Sequence, residues 1–249
     1  YLWLLVSWIV ISSLSIASDE LKIYAYSDNS SLSATTGEAS RGFMVFSPDY
    51  LKIIFQNSKS ELGPKVAQLS LAACPGETEP ITLVLRATEK LRNVRMIPTK
   101  LVSASGQVIP RRALSVQTMA YANRSRITDD EKDLYLDVPY LLEETDQCPV
   151  IFANANQTFW ITVQVPGETP DGIYTGNIEI MVDGISKASI PLSLEVYPFK
   201  LRKTPCQFSL FQKLREDGTF LARAFQDLKN HQINTIAFCG KSGLDMSLD

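Results

Sequence analysis

From Thr158 the chain alternates. Phe159, Ile161, Val163 and Val165 fall on one side, and Trp160, Thr162 and Gln164 on the other. That period of two predicts a strand with one buried face. Pro166-Gly167 and Pro170-Asp171-Gly172 then break the chain into a loop. Tyr174, Ile178, Ile180 and Val182 share the next face, with Gly176 among them, and Asp183-Gly184 is a two-residue hairpin signal. The return strand alternates at Ala188, Ile190, Leu192, Leu194 and Val196. Upstream, strand-like runs lie at Phe43–Phe46, Leu51–Phe55, Val66–Ala73, Ile81–Ala87, Val94–Pro98 and Leu114–Ala120. Leu101-Val102 and Val108-Ile109 flank Ser105-Gly106, which predicts a tight turn. The polar run 122–133 reads as a solvated loop, or as a loop over a ligand site. Residues 18–40 read as a polar lead-in after one short strand, Leu21–Tyr26.

After Tyr197-Pro198 the period changes. Phe208–Phe211 is a short strand, and Leu221, Ala224, Phe225 and Leu228 form one stripe of an amphipathic helix that Asp217 caps. Ile233–Phe238 is an almost wholly apolar strand, as a parallel sheet requires. Strand, helix and strand make a βαβ unit. One such unit cannot bury both its faces, so further chain is expected after Asp249.

Charge and export narrow the function classes. A net charge of −3 provides no basic footprint for nucleic acid. The first seventeen residues carry no charge, and Ser15-Ile16-Ala17 is a small-x-small cleavage site. They predict a signal peptide rather than a buried strand or an uncleaved anchor, with serines thinning the apolar run. The expected location is therefore secreted or periplasmic, with no stable membrane insertion after cleavage. Cys74, Cys148, Cys206 and Cys239 are an even set compatible with disulfides, but no CxxC occurs. Four small buried residues is the preferred reading. Asn29, Asn123 and Asn156 head sequons.

Several segments in order resemble glycoside hydrolase family 123 and related secreted bacterial proteins. They are Cys74-Pro75-Gly76-Glu77-Thr78-Glu79-Pro80-Ile81, the Leu91 to Val94 step, Gly106-Gln107-Val108-Ile109-Pro110, Trp160-Ile161-Thr162-Val163, Pro170-Asp171-Gly172-Ile173-Tyr174-Thr175-Gly176, Pro198-Phe199-Lys200-Leu201 and the stretch from Leu228 to Ile236. The resemblance covers about residues 40–240. It implies a mainly β chain: a β-sandwich followed by the first βαβ unit of a truncated (β/α)8 barrel. The expected parts are a signal peptide (1–17), a polar lead-in (18–40), the sandwich (41–200) and the start of the barrel (201–249). The implied parent hydrolyses glycosidic bonds, N-acetylhexosaminides among them, by an Asp-Glu pair with substrate assistance. Asp19-Glu20, Asp130-Glu131 and Glu143-Glu144 all precede the barrel, so the catalytic carboxylates are expected beyond Asp249 and this chain alone is expected to be inactive. The alternative is a non-catalytic carbohydrate-binding or cell-surface interaction module.

The expected partner is a glycan. Gln212, Lys213 and Lys241 follow barrel strands, where barrel sites form. Trp160 and Tyr174 present rings that suit sugar C–H groups, although core packing is the commoner role for such residues. The lone histidine, His231, reads as structural, and Glu77 and Glu79 are a weak metal signal. No metal or cofactor is expected, since no phosphate-cradling glycine motif, serine-hydrolase elbow or zinc spacing occurs.

Overall fold

The computed structural model describes residues 32–57, 59, 62–127, 133–202, 208–212, 218–230 and 233–238. The signal peptide, the 21–26 strand, Asn29, Asp130-Glu131, Cys206, Lys213, Asp217, His231, Cys239 and Lys241 lie outside the described residues. The chain divides into two compact units, Tyr1–Leu201 and Arg202–Asp249.

In the first unit the elements run α1 (Thr36–Arg41), β1 (Phe43–Phe46), β2 (Leu69–Ala73), β3 (Thr78–Ala87), β4 (Leu91–Pro98), β5 (Leu101–Ser103), β6 (Val108–Ile109), β7 (Leu114–Ile127), β8 (Asp133–Glu143), β9 (Gln147–Ile151), β10 (Asn156–Gln164), β11 (Gly172–Val182) and β12 (Ile185–Val196). A 3₁₀ turn, Arg111–Ala113, leads into β7. One sheet has the order β1-β3-β10-β7-β8, and the other β2-β12-β11-β4-β9 with the β5–β6 hairpin added to β11. Among the described residues every strand pair of this unit is antiparallel except β2 with β12.

The alternation read from the sequence forms the core of this sandwich. Phe159, Ile161 and Val163 of β10, with Tyr174, Ile178 and Ile180 of β11, are fully buried in one apolar cluster joined by Leu192 and Leu194 of β12. Burying each large side chain contributes about 1.5–3 kcal/mol. The β11–β12 turn has positive φ at both Asp183 (49°) and Gly184 (77°), the geometry that matches the twist of a two-residue hairpin. Gly176 serves a close approach: a Cβ there would lie 2.7 Å from Lys100 O and from Leu101 Cδ2.

β1 is buried on both faces. Phe43 and Val45 enter the main core, while Met44 and Phe46 join a second cluster with Ile54, Leu62 and Val84. Ile54 and Leu62 thus cover part of the outer face of the first sheet. Leu51–Phe55, expected as a strand, is instead part of this irregular cover, with Ile54 buried and Leu51 and Ile53 exposed. The lead-in, expected as a polar stretch, holds a short helix. Thr35 and Glu38 form a reciprocal capping box, and Gly42 closes the helix in the left-handed region. Glu38 accepts a 2.7 Å bond from Lys65 Nζ.

The polar run expected as a loop is mostly strand: β7 continues to Ile127, paired with Asp133 on β8. Its polar character suits strands at the rim of a sheet, where β8 is the edge. There Pro139 removes no central ladder bond.

In the second unit β13 (Ser209–Gln212), α2 (Gly218–Asn230) and β14 (Thr235–Phe238) follow in order, and β13 pairs with β14 in parallel. Strand, helix and parallel strand are thus present as expected, with Leu221, Ala224 and Leu228 half-buried.

Candidate functional site

The two aromatic candidates have opposite environments. Tyr174 is fully buried in the core, and its hydroxyl donates to Pro170 O at 2.9 Å. Burial, then the nearby Asp171 charge, raises its phenol above the ordinary value. Both ring faces are taken by packing, so Tyr174 pins the 166–172 loop and is no sugar platform. Trp160 lies on the other side of the sandwich wall, half-buried on central strand β10, opposite Thr82 of β3 and Gln117 of β7.

A short turn brings a second ring to Trp160. Asp49 Oδ1 accepts from Leu51 N at 2.9 Å, and Asp49 O from Lys52 N at 3.0 Å. Ser47 and Thr82 staple this turn to β3: Ser47 Oγ donates to Thr82 O at 2.8 Å and Thr82 Oγ1 to Pro48 O at 2.7 Å. Tyr50, 43% exposed, then stands edge-on to Trp160, with ring centroids 5.9 Å apart at 78°. The two rings border a hollow of about 30 Å³ with Asp49, Lys52 and Thr158 on its rim. Behind it, Tyr121 Oη and Thr158 Oγ1 are 2.9 Å apart. Burial pushes the Tyr121 phenol up to about 12, so it stays protonated at neutral pH. The hollow is too small to enclose a sugar, and among the described residues no buried side-chain polar atom lacks a partner. It is an open pair of rings with polar side chains at its edge.

A larger cleft, about 370 Å³, opens elsewhere on the sandwich, between the end of β4 and the start of β7. Arg111, Arg112, Leu114, Glu144 and Asp146 line it. Arg111 Nε donates to Pro98 O at 3.0 Å. Gln117 Nε2 donates to Glu144 Oε1 at 2.7 Å. Asp146 pairs with Arg95 at 2.9 Å, a contact that raises the Arg95 guanidinium further. Of these cleft residues only Glu144 was singled out in the sequence, as part of a carboxylate pair; the others come from a turn and strand ends, with no shared spacing.

The remaining candidates stay apart. Gln212 is the last residue of β13, in register with Phe238. Glu143 ends β8 in the sandwich unit, and Glu144 follows it into the cleft. Asn156 is fully buried and its amide donates to Phe55 O at 2.9 Å, so this sequon is closed to glycosylation in the folded chain. Cys74 and Cys148 are buried free thiols, and burial raises both. Among the described residues no group of three or more His, Cys, Asp or Glu is placed to hold a metal, and no helix is long and apolar enough to cross a membrane.

The profile of the glycoside hydrolase 123 N-terminal domain matches residues 53–182, just over half the chain. A solved family 123 glycoside hydrolase from Clostridium perfringens, described for glycolipid glycan hydrolysis, superposes with a TM-score of 0.58 at 18% identity. The match covers 68% of this chain and 30% of that one, so the chain spans under a third of that protein. The sporulation control protein Spo0M of Bacillus subtilis matches with a TM-score of 0.28 at 13% identity, over 62% of this chain and 49% of its own. A PapD-like domain of human CEP192 matches with 0.28 at 15%, over 70% and 99%. No curated protein matches significantly.

Proposed function

Because the chain belongs to the glycoside hydrolase 123 N-terminal domain family, we propose that it is the sugar-holding sandwich of an exported glycoside hydrolase. In this reading residues 1–17 direct export, and the β13-α2-β14 unit opens a (β/α)8 barrel. The catalytic carboxylates then follow a later barrel strand, where the active residues of such barrels sit. The parent's reaction is hydrolysis of a glycosidic bond in glycans that contain N-acetylhexosamine. This chain supplies binding and lacks the acid/base pair.

The observation that carries the reading is the Trp160–Tyr50 platform. An indole held half-open on a central strand, with a second ring edge-on, presents an apolar face for sugar C–H groups. Asp49 and Lys52 beside it supply hydrogen-bonding groups for hydroxyls.

Trp160 is the only tryptophan after residue 17, so fluorescence of the chain without that segment reports on this site alone. Titration with N-acetylhexosamine oligosaccharides is expected to shift the emission. Trp160→Ala is expected to weaken glycan binding, read by calorimetry, by about tenfold, as for loss of 1–2 kcal/mol of ring contact. Tyr174→Phe should leave it unchanged. Silence of the folded chain towards these sugars at millimolar concentration would remove the binding reading.

A further inference from the structure

The cleft between β4 and β7 has features of a second, chemically different site. Its volume of about 370 Å³ is over ten times that of the hollow beside Trp160 and falls in the range of small-molecule clefts. Its accessible lining is mostly polar, with Leu114 and Val116 behind it packed into the main core.

The charge on its wall is unbalanced. Asp146 is neutralised by Arg95. Arg111 gives only its Nε to Pro98 O. Arg112 is exposed and makes no hydrogen bond or ion pair among the described residues. Against these two guanidinium groups stands one unneutralised carboxylate, Glu144, whose Oε1 takes a neutral amide bond from Gln117. A local positive excess on a chain of net charge −3 favours an anion. Glu144 disfavours a dianion and offers an acceptor for hydroxyl groups.

We propose that this cleft binds a sugar residue that carries a carboxylate. The carboxylate lies on the Arg111–Arg112 guanidinium groups, which accept planar anions bidentately. A ring hydroxyl donates to Glu144. The sugar class rests on the carbohydrate reading given above, while the site is separate from Trp160.

The test is a nitrogen-15 NMR titration of the chain with glucuronate, glucose and acetate in parallel. Glucuronate is expected to shift the amides of residues 111–114 and 144–146, with glucose and acetate each about tenfold weaker, as for loss of one charged hydrogen bond or its neutral partners. Arg112→Ala is expected to lower glucuronate affinity about tenfold, and Lys187→Ala, an exposed control on β12, to leave it unchanged. Glu144→Ala should weaken glucuronate but not acetate. Equal binding of glucose overturns the charge argument, and equal binding of acetate reduces the cleft to a plain anion site. Shifts confined to the Trp160 indole overturn this proposal and leave the platform standing. Shifts confined to the cleft are the expected result, and the platform stands or falls on its own titration with N-acetylhexosamine oligosaccharides.

Discussion

Two long hairpins build opposite sheets of the sandwich, and only one of them is legible from its residues. The β11–β12 hairpin alternates cleanly, turns through Asp183-Gly184, and buries Ile178, Ile180, Leu192 and Leu194 in the main core. Its register irregularity, between Ile180 and Met181, lies close to the turn and disturbs little. The β7–β8 hairpin is as extensive, yet its shift between Ala120 and Tyr121 falls in mid-strand. A shift of one residue reverses which face a side chain occupies, so a single alternating pattern cannot span it. β8 is also an edge strand, and neighbours Tyr140 and Leu141 are 55% and 50% exposed. Periodicity records burial, and a strand that buries little leaves little record.

The strongest test of this contrast removes a side chain from each hairpin. Ile178→Ala is expected to cost about 3–4 kcal/mol through lost burial and a cavity, whereas Leu141→Ala should stay within about 0.5 kcal/mol. Urea unfolding of both variants measures the gap, and similar losses would break the link between periodicity and burial. Next in size, Gly176→Ala forces a Cβ against the Lys100 carbonyl and is expected to cost about 2 kcal/mol. A neutral result there would mean that the β4–β5 corner yields readily.

The smallest effect concerns the cover on the first sheet. Burial pushes the Glu38 carboxyl up, but bonds from Lys65 and Thr35 and the Lys65 charge outweigh it and hold it below its ordinary 4.5. A depressed carboxylate contributes stability that is present above pH 4.5 and lost as pH falls through the lower folded value. Glu38→Gln should therefore narrow the stability loss between neutral pH and about pH 3, while variants of the β11–β12 hairpin keep the full loss. Parallel acid titrations followed by circular dichroism compare them.

The same physics sorts the candidate site. Trp160 and Tyr174 both read as rings on strands, and alternation correctly set Trp160 on the face opposite Phe159 and Ile161. That Tyr50 would meet Trp160 was hidden, because the contact depends on a turn stapled through Thr82 more than thirty residues away. The cleft residues were hidden for a similar reason: Arg111 precedes β7 and Glu144 follows β8, so they come together only once those two strands have paired. The capping box at Thr35 and Glu38 was open to view, being local in sequence, but a six-residue helix inside a serine-rich stretch offers no apolar stripe to announce it.

The one parallel pair in the sandwich bears on how the chain is made. Among the described residues β2 finds its only strand partner in β12, with Leu69 opposite Leu192. More than a hundred residues are synthesised between the two. Until β12 leaves the ribosome, the second sheet lacks both its longest hairpin and its last edge. Contacts so distant in sequence slow folding and leave apolar strands unpaired meanwhile. Nascent chains stalled between β3 and β11 should therefore be the aggregation-prone and chaperone-bound species, and release past Val196 the step at which the domain becomes protease-resistant.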